Sequence, residues 1–330
     1  MTRTARPLAR RPVVVGALAL ALLGAAGLIV ARGVPYVTRE ARWAIGVYQG
    51  PSPFALSPAP GIDNPVLSAA QVTDVPARFV ADPFMIRQDA TWFMFFEVLN
   101  AATMQGDIAL ATSADGRAWH YERVVLDEPF HLSYPYVLAW DDTYYLIPES
   151  AQAREVRLYR ADEFPRRWQL AQTLLAGDPF CDPSLVHHAG RWWLFTATHP
   201  ATNATLALYH ADHLEGPWQA HPMSPIVRGD PHRARPGGRI IAVGDRLVRF
   251  AQDSAPRYGT QVWAYEITTL TPTAYAERRV GELPIVGPGE DGWNARGMHH
   301  VDALPLGAQS WIAAVDGNRR GWALRFWQWR

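Results

Sequence analysis

Beyond residue 42, short apolar runs alternate with turns rich in Gly, Asp, Asn and Ala. The runs combine aromatic and β-branched residues, as in TWFMFFE (91–97) and RWWLFTAT (191–198). Runs of this length and composition, bounded by turn residues, predict β-strands. No helical periodicity of useful length appears in this part of the chain, so the pattern disfavours a TIM barrel or a Rossmann fold.

The strand pattern repeats with a period of about 50 residues, which is typical of propeller blades. In each unit a polar residue, usually followed by proline, begins the first strand, and a turn leads into a second strand that ends on a polar residue. A third strand follows, and an aromatic residue begins the fourth. The openings are Asp82-Pro83, Tyr134-Pro135, Asp182-Pro183, Arg235-Pro236 and, less regularly, His299 to Asp302. Five such units predict an all-β, five-bladed β-propeller over residues 42–330. WALRFWQW (322–329) is the predicted third strand of the last blade, and residues 42–54 are predicted to supply its outer strand.

The N-terminal part has a different pattern. Residues 13–31 are uninterrupted apolar and small residues, preceded by Arg3, Arg6, Arg10 and Arg11. A run of this length approaches what a helix needs to cross a hydrocarbon core, and the arginines place its start in the cytoplasm. We therefore predict a cytoplasmic tail (1–12), one N-terminal transmembrane signal anchor (13–31) and a linker (32–41). The expected location is the cell membrane, single-pass, with the propeller on the extracytoplasmic side.

Composition excludes several chemistries. The 330 residues carry no formal net charge and contain no lysine, which argues against nucleic acid as a partner and rules out Schiff-base or P-loop lysine chemistry. Cys181, the single cysteine, cannot form an internal disulfide or a cysteine-rich zinc site, and we expect a buried, inert thiol. Neither GxSxG nor HExxH occurs. No cofactor is predicted. Two alternatives are left open, a structural divalent cation in the channel and a metal site built from His and Asp residues of several blades.

The polar blade openings should meet at one end of the central channel, because first strands line that channel and second strands end beside their starts. Carboxylates across such a funnel suit glycoside hydrolysis of the inverting type. We predict Asp82 as base, Asp182 as orienting carboxylate and Glu149 as acid, with Glu97 as its substitute. The predicted substrate-binding residues are Glu97, Tyr134, His199, Arg235, Arg239, Asp253, His300 and Asp302. The predicted partner is a glycan or glycoconjugate, and the alternative is a propeller that binds glycans without catalysis.

Several strings resemble the N-terminal domain of plant glucosamine inositolphosphorylceramide transferases, over about residues 43–316. They are FVADPF (79–84), MQGDIALATS (104–113), HLSYPYV (131–137), ELP (282–284), GMHHVDALPL (297–306) and WIAAVDG (311–317). In those proteins a separate glycosyltransferase domain follows the propeller-like domain. Because the sequence stops at Arg330, we expect this chain to lack the transferase module.

The predicted fold is also similar to the five-bladed furanosidase-type glycoside hydrolases, the arabinofuranosidase and xylosidase clan. That resemblance implies that Asp82 corresponds to the clan's general base and Asp182 to its pKa-modulating aspartate. The clan commonly places its acid Glu at a later strand start. Here Tyr134 and Arg235 occupy such positions in blades two and four. The resemblance therefore implies the fold more directly than it implies catalysis.

Overall fold

The computed structural model describes residues 33–327, apart from the side chain of Phe326. In this part of the chain the strands are β1 (Val34–Ser52), β2 (Ala55–Pro58), β3 (Ala77–Gln88), β4 (Thr91–Asn100), β5 (Gly106–Ser113), β6 (His120–Leu126), β7 (Ser133–Trp140), β8 (Thr143–Ser150), β9 (Glu155–Glu163), β10 (Arg167–Ala176), β11 (Cys181–His188), β12 (Arg191–Thr198), β13 (Thr205–Ala211), β14 (Gln219–Ala220), β15 (Val227–Arg228), β16 (Ile241–Val243), β17 (Arg246–Asp253), β18 (Gln261–Leu270), β19 (Tyr275–Arg279), β20 (Val301–Gly307) and β21 (Ser310–Trp327). Two short 3₁₀ helices, Ala69–Gln71 and Ala151–Ala153, lie between strands.

The strands form five sheets, so the predicted five-bladed all-β propeller is confirmed. Blade one contains β3 to β6, blade two β7 to β10, blade three β11 to β15 and blade four β16 to β19. In each of these sheets, strands that follow one another in sequence pair antiparallel, except that in blade three β15 pairs with β13 and not with β14. The local hairpin signals in the sequence are therefore enough to build four of the blades.

Blade five joins the two ends of the propeller chain. Its strand order is β20, β21, β1, β2, so the N-terminal segment pairs with the C-terminal strand. Residues 42–52 lie in β1, the third strand of the blade, and not in the predicted outer strand; the outermost strand is β2, just beyond the predicted segment. The pairing of β1 with β21 closes the ring.

The predicted third strand beginning at Trp322 is wrong, because Trp322 belongs to the same continuous strand as Trp311. The backbone explains why no turn forms between them. Asn318 pairs with Gly297, accepting a bond from Arg296 N–H and donating its own N–H to the Gly297 carbonyl. The GNRRG segment (317–321) is thereby held extended, and the third position of the blade is left to β1.

The core lies between neighbouring blades. One cluster joins blades one, two and three through Phe84, Phe95, Tyr136, Leu146 and Leu194, all at most 5% exposed. The aromatic residues of the second strands are buried, with Trp192 in this cluster at 3% exposure and Trp193 in a neighbouring cluster at 1% exposure. Burial of this apolar area is the main driving force that holds the blades together.

The chain divides into two compact units, residues 42–319 and a second unit formed by residues 33–41 with residues 320–327. The first unit is the propeller. The predicted transmembrane anchor at residues 13–31 lies outside the described residues. Between residues 33 and 327 no helix is both long enough and apolar enough to span a bilayer.

Candidate functional site

The same bulge occurs in the first strand of blades one, two and three. The pairing register slips between Ala81 and Phe84, between Ser133 and Tyr136, and between Cys181 and Ser184. The residue before each proline has a positive φ: 53° at Asp82, 46° at Tyr134 and 50° at Asp182. A non-glycine residue in this region is strained by about 1–3 kcal/mol and persists when its surroundings fix it, often at functional sites. All three are bulge positions. Tyr134 and Asp182 are the second residues of β7 and β11, close to the predicted strand starts, whereas Asp82 lies five residues into β3, which begins at Ala77.

Arg235 of blade four neutralises the carboxylates of blades two and three. Its Nε lies 2.5 Å from Oδ2 of Asp182, and its Nη2 lies 3.1 Å from Oε2 of Glu149 and 3.2 Å from Oδ1 of Asp182. Its Nη1 donates to Asn203 Oδ1 at 3.0 Å, and its guanidinium covers the Tyr258 ring at 5.2 Å. The arginine is therefore committed to the protein on several sides and holds two predicted catalytic residues together.

Asp182 is further fixed by its neighbours. Its backbone N–H donates to Glu149 Oε2 at 3.0 Å, and Gln252 Nε2 donates to its Oδ2 at 2.7 Å. Asp182 is 1% exposed. Burial raises the pKa of Asp182 to about 7, while Arg235 opposes that shift. These contacts give Asp182 one orientation and suit a carboxylate that orients other groups.

A second cluster joins blade one to blade five. Nδ1 of His299 lies 2.7 Å from Oδ2 of Asp316, and Nε2 of His299 lies 3.8 Å from Oδ1 of Asp82. Asp316 also accepts backbone N–H bonds from Asp82, His299 and His300. Asp316 therefore sets the orientation of the His299 ring and the backbone position of Asp82 together.

Asp82 differs from the other carboxylates in having a buried oxygen with nothing to bond. It is 4% exposed, and its Oδ1 accepts no hydrogen bond from any residue between 33 and 327. Burial raises the pKa of Asp82 to about 7, although His299 opposes the shift. Burial lowers the pKa of His299, but Asp316 and Asp82 more than offset this, so that the pKa is raised overall. Asp82 can thus exchange a proton near neutral pH, beside an imidazole whose raised pKa favours its protonated form.

Glu97 lies on the second strand of blade one, paired in register with Ala81. It is 5% exposed, and its Oε1 lies 3.4 Å from Nε2 of His131. Burial, followed by the nearby carboxylates of Asp82 and Glu149, raises the pKa of Glu97 well above its usual value. Burial likewise lowers the pKa of His131. Glu97 therefore favours its protonated form, as a general acid requires.

Three predicted binding residues, Tyr134, Arg239 and Asp302, bond to residues of other blades, and of these Arg239 is half-buried and lines a surface pocket. Tyr134 donates to the Gly238 carbonyl at 3.0 Å and accepts from Gly238 N–H at 2.8 Å. Arg239 pairs with Asp302 at 2.8 Å and donates to the carbonyls of Val137 and Met85. Asp302 is fully buried. These contacts tie four blades together around the channel axis.

The remaining predicted residues differ in their surroundings. His300 is fully buried against Phe84 and Tyr134, and burial lowers its pKa to about 3. Asp253 accepts from Gln261 Nε2 at 3.0 Å and lies 2.9 Å from Nδ1 of His232. His199 is exposed, with its Nδ1 3.2 Å from the hydroxyl of Thr198. The structure therefore does not join His199 to the buried carboxylate clusters.

His299, Trp43 and Tyr258 lie at the site but were not among the predicted site residues. Trp43 stacks on His299 at 3.9 Å, and Tyr258 packs edge-on against the same imidazole at 5.1 Å while remaining 44% exposed. Both adjacent histidines approach Asp82, because His299 Nε2 and His300 Nδ1 each lie 3.8 Å from its Oδ1. They precede β20, which begins at Val301, so the strand alternation that would allow only one of them to face a given side does not apply. Trp43 comes from the closing segment, so its role depends on the ring being closed.

One ligand atom from each of Asp82, His299 and Asp316 lies within 4.8 Å of the others, which is the spacing of a metal site. The donor set does not fit one well. Asp316 already accepts three backbone N–H bonds and pairs with His299, so it is occupied as an orienting group. Asp82 and His299 are then the two protein ligands that remain, and zinc needs three or four. The absence of a cofactor stays a prediction. Cys181 is buried, as expected, and burial raises its pKa.

Residues 37–318 match the family model described as glucosamine inositolphosphorylceramide transferase 1, N-terminal, and the chain belongs to this family. The transferase of Oryza sativa subsp. japonica is 39% identical over 301 residues, which cover 85% of this chain and 40% of the relative. The Arabidopsis thaliana transferase is 35% identical over 301 residues, covering 85% and 39%. The chain thus spans about two fifths of the length of these curated relatives.

Solved structures with the same fold are carbohydrate-active enzymes. The catalytic domain of Coprinopsis cinerea GH62 α-L-arabinofuranosidase has a TM-score of 0.57 at 10% identity, covering 84% of this chain and 96% of that one. A β-1,2-mannobiose phosphorylase from Listeria innocua has a TM-score of 0.58 at 13% identity, covering 82% and 96%. A thermostable family-43 glycoside hydrolase has a TM-score of 0.54 at 15% identity, covering 78% and 95%. At these identities the likeness establishes the fold alone.

Proposed function

We propose that this member of the family is a glycoside hydrolase-like enzyme that binds a glycan or glycoconjugate at the channel end built around Asp82. One observation carries the proposal: Asp82 Oδ1 is buried, accepts no hydrogen bond from the described residues and lies 3.8 Å from His299 Nε2. A buried acceptor without a partner costs free energy, and a site retains one when a ligand or water supplies the missing bond. The carbohydrate relation of the family and fold supports the same class of substrate.

In the proposed reaction, ionised Asp82 takes a proton from a water molecule as the water oxygen bonds to the anomeric carbon. The bond from that carbon to the leaving oxygen breaks, and protonated Glu97 gives its proton to this oxygen. The products are a free sugar and an alcohol, and solvent restores both carboxyl groups. The sequence favoured Glu149 as the acid. Glu97 takes the role here because Glu149 Oε2 is held by Arg235 and by the Asp182 backbone.

We further propose that residues 13–31 anchor the protein in the cell membrane with the propeller outside the cytoplasm. The uninterrupted apolar run and the four arginines before it support this orientation. Protease protection of an epitope at each terminus, in intact cells and after lysis, tests the orientation. Protection of the C-terminal epitope from protease in intact cells contradicts the proposed orientation.

Release of the aglycone from a panel of arylglycosides tests the hydrolase proposal, with the Asp82→Asn variant as its control. Activity that the wild type shows and Asp82→Asn loses supports the proposal. Cleavage that Asp82→Asn retains excludes Asp82 as the base. If no glycoside is cleaved, the second candidate function applies.

The second candidate is a glycan-binding propeller without catalysis. Arg235 favours it, because this arginine neutralises two of the three predicted catalytic carboxylates. The ring of Tyr258 beside His299, which is 44% exposed, also suits contact with a sugar. Glycan-array binding with no turnover, lost in Tyr258→Ala, supports this candidate over the hydrolase.

A further inference from the structure

The ribbon, residues 34–41 of β1 and 320–327 of β21, forms a compact unit of its own. Side chains of its two strands contact one another. The Arg39 guanidinium covers the Trp322 ring at 4.8 Å, and Arg325 Nε donates to Glu40 Oε1 at 2.7 Å. Farther along, Val34 and Tyr36 line one cleft with Trp327.

The ribbon exposes a high share of the large apolar side chains. Twelve such residues are exposed in the described part of the chain, and half of them belong to the ribbon. They are Val34 (38%), Tyr36 (49%), Val37 (62%), Trp322 (63%), Leu324 (59%) and Trp327 (56%). Scattered exposed apolar residues are ordinary, but such a concentration on a short element marks an interaction surface.

The charges and residue types of the ribbon point to the kind of partner. Its charged side chains are Arg39, Arg320 and Arg325 against the single carboxylate of Glu40, so the ribbon is basic. Tyr and Trp prefer the boundary between lipid tails and headgroups, because one end of each ring is apolar and the other polar. Arginine completes such a surface by reaching anionic lipid headgroups.

The position of the ribbon along the chain indicates which partner covers its apolar surface. The apolar segment ends at residue 31, and β1 begins at Val34. Three residues of extended chain span at most about 10 Å. If residues 13–31 cross the bilayer, the start of the ribbon must therefore lie in or beside the headgroup layer.

We propose that the ribbon inserts its Tyr, Trp, Val and Leu side chains into the headgroup region of the membrane that residues 13–31 cross. This inference rests on the proposed membrane anchoring. It assigns the exposed apolar side chains to a lipid surface, and the basic residues to anionic headgroups. A second copy of the chain is the competing occupant, and the experiment below separates the two.

The test uses the full-length protein in nanodiscs that contain anionic lipid, with an environment-sensitive fluorophore on an introduced cysteine. Cys181 is 1% exposed and its pKa is raised by burial, so the unmodified protein, labelled in parallel, gives the background. The test site is Leu324→Cys. The matched controls are Leu283→Cys and Met104→Cys in the propeller, where the replaced side chains are 78% and 53% exposed.

The label at residue 324 is expected to emit at shorter wavelength than both control labels. Lipids with a nitroxide near the headgroup should remove at least about half of its emission, because interfacial side chains lie about 5–10 Å into the headgroup and acyl boundary. Emission and quenching equal to those of both controls overturn the proposal. A blue-shifted label that lipid nitroxides do not quench, with disulfide-linked dimers of Leu324→Cys, also overturns it and assigns the surface to a second copy.

A separate measurement distinguishes failure of this inference from failure of the anchor. Flotation of the full-length protein with vesicles, in high salt and in carbonate, reports whether residues 13–31 hold it in the bilayer. Stable flotation with a water-exposed label at residue 324 leaves the anchor standing and overturns only the ribbon. Loss of flotation under both conditions overturns the anchor and the ribbon together.

Discussion

Arg235 and Asp182, on neighbouring blades, are joined by two contacts, Nε to Oδ2 at 2.5 Å and Nη2 to Oδ1 at 3.2 Å. Both side chains are at most 10% exposed. The same guanidinium reaches Glu149, so one cation balances two buried carboxylates. Asp82, the remaining predicted catalytic residue, pairs instead with the His299 and Asp316 cluster of blade five. The site is thereby divided into a neutralised half and a half that can exchange protons near neutral pH.

Asp82→Asn is expected to lower turnover by about 10²–10⁴-fold, the usual contribution of a general base, while glycan binding persists. Asn keeps the shape and a polar contact, and it tolerates the positive φ at this position better than most residues. Turnover and binding are measured separately, by product release and by titration calorimetry. An equal loss in both contradicts the assignment of Asp82 as the base.

The pH dependence of turnover should reflect the same residue. Because burial raises the pKa of Asp82 to about 7, the ionised base is lost as pH falls through that value, and turnover should decline with it. The raised pKa of Glu97 keeps the acid protonated at neutral pH. Profiles of kcat/KM for the wild type and for Glu149→Gln should share the limb near pH 7. A limb that moves strongly in Glu149→Gln would assign it to Glu149.

Asp82 should make the free energy of unfolding fall as pH rises, whereas an ion-paired carboxylate with a lowered pKa makes it rise. Between the unfolded pKa of 3.8 and the folded value of about 7, the native state binds a proton that the unfolded state does not, so stability falls as pH rises. The asparagine of Asp82→Asn does not titrate. Urea unfolding should therefore show this variant gaining stability relative to the wild type by a few kcal/mol between pH 4 and pH 8. A constant difference across that range contradicts the raised pKa.

Arg235→Ala should destabilise the fold, because the Arg235 guanidinium is engaged with Asp182, Glu149 and Asn203. Removal of one partner from a buried ion pair typically costs about 3–5 kcal/mol, because it leaves an uncompensated charge. The double variant Arg235→Ala, Asp182→Asn should recover part of that loss, since it removes one of the stranded carboxylates. Urea unfolding of the single and double variants measures the recovery. Additive losses would show that the two side chains do not depend on each other.

Asp316→Asn should lower the pKa of His299, because Asp316 is the main charge that raises it. The nitrogen shifts of the imidazole, followed by NMR against pH, report this change. Asp302→Asn is the matched control, since Asp302 is equally buried but pairs with Arg239 instead. A His299 titration that is the same in both variants contradicts the role of Asp316 as its orienting partner.

Asp302→Asn should lower the free energy of unfolding by about 3–5 kcal/mol, because it leaves the Arg239 charge in the channel without its partner. Glu266→Gln breaks the contact to the exposed Arg278 and should cost less than about 1 kcal/mol. Urea denaturation of the two variants gives the comparison. If Asp302→Asn costs no more than Glu266→Gln, the pair with Arg239 does not hold the blades together.

The sequence by itself determined the repeat, the number of blades and the segment that closes the ring. These depend on signals within about 50 residues: aromatic strands, turn residues and a polar residue before proline in each unit. It also indicated the positions of Asp82, Asp182 and Glu149, because a repeated unit repeats the location of its bulge and its strand end.

Only the tertiary structure decided which polar groups meet. His299 and His300 both approach Asp82 Oδ1 at 3.8 Å. Their other partners, Asp316 for His299 and the rings of Phe84 and Tyr134 for His300, come from packing between blades that no local pattern reveals. Trp43 reaches His299 because the ring closes, and Arg235 reaches Glu149 across an intervening blade. Whether residues 320–327 turned back or continued β21 depended on the pairing of Asn318 with Gly297. Each of these outcomes rests on contacts between distant parts of the chain, whose geometry exists only once the blades have packed.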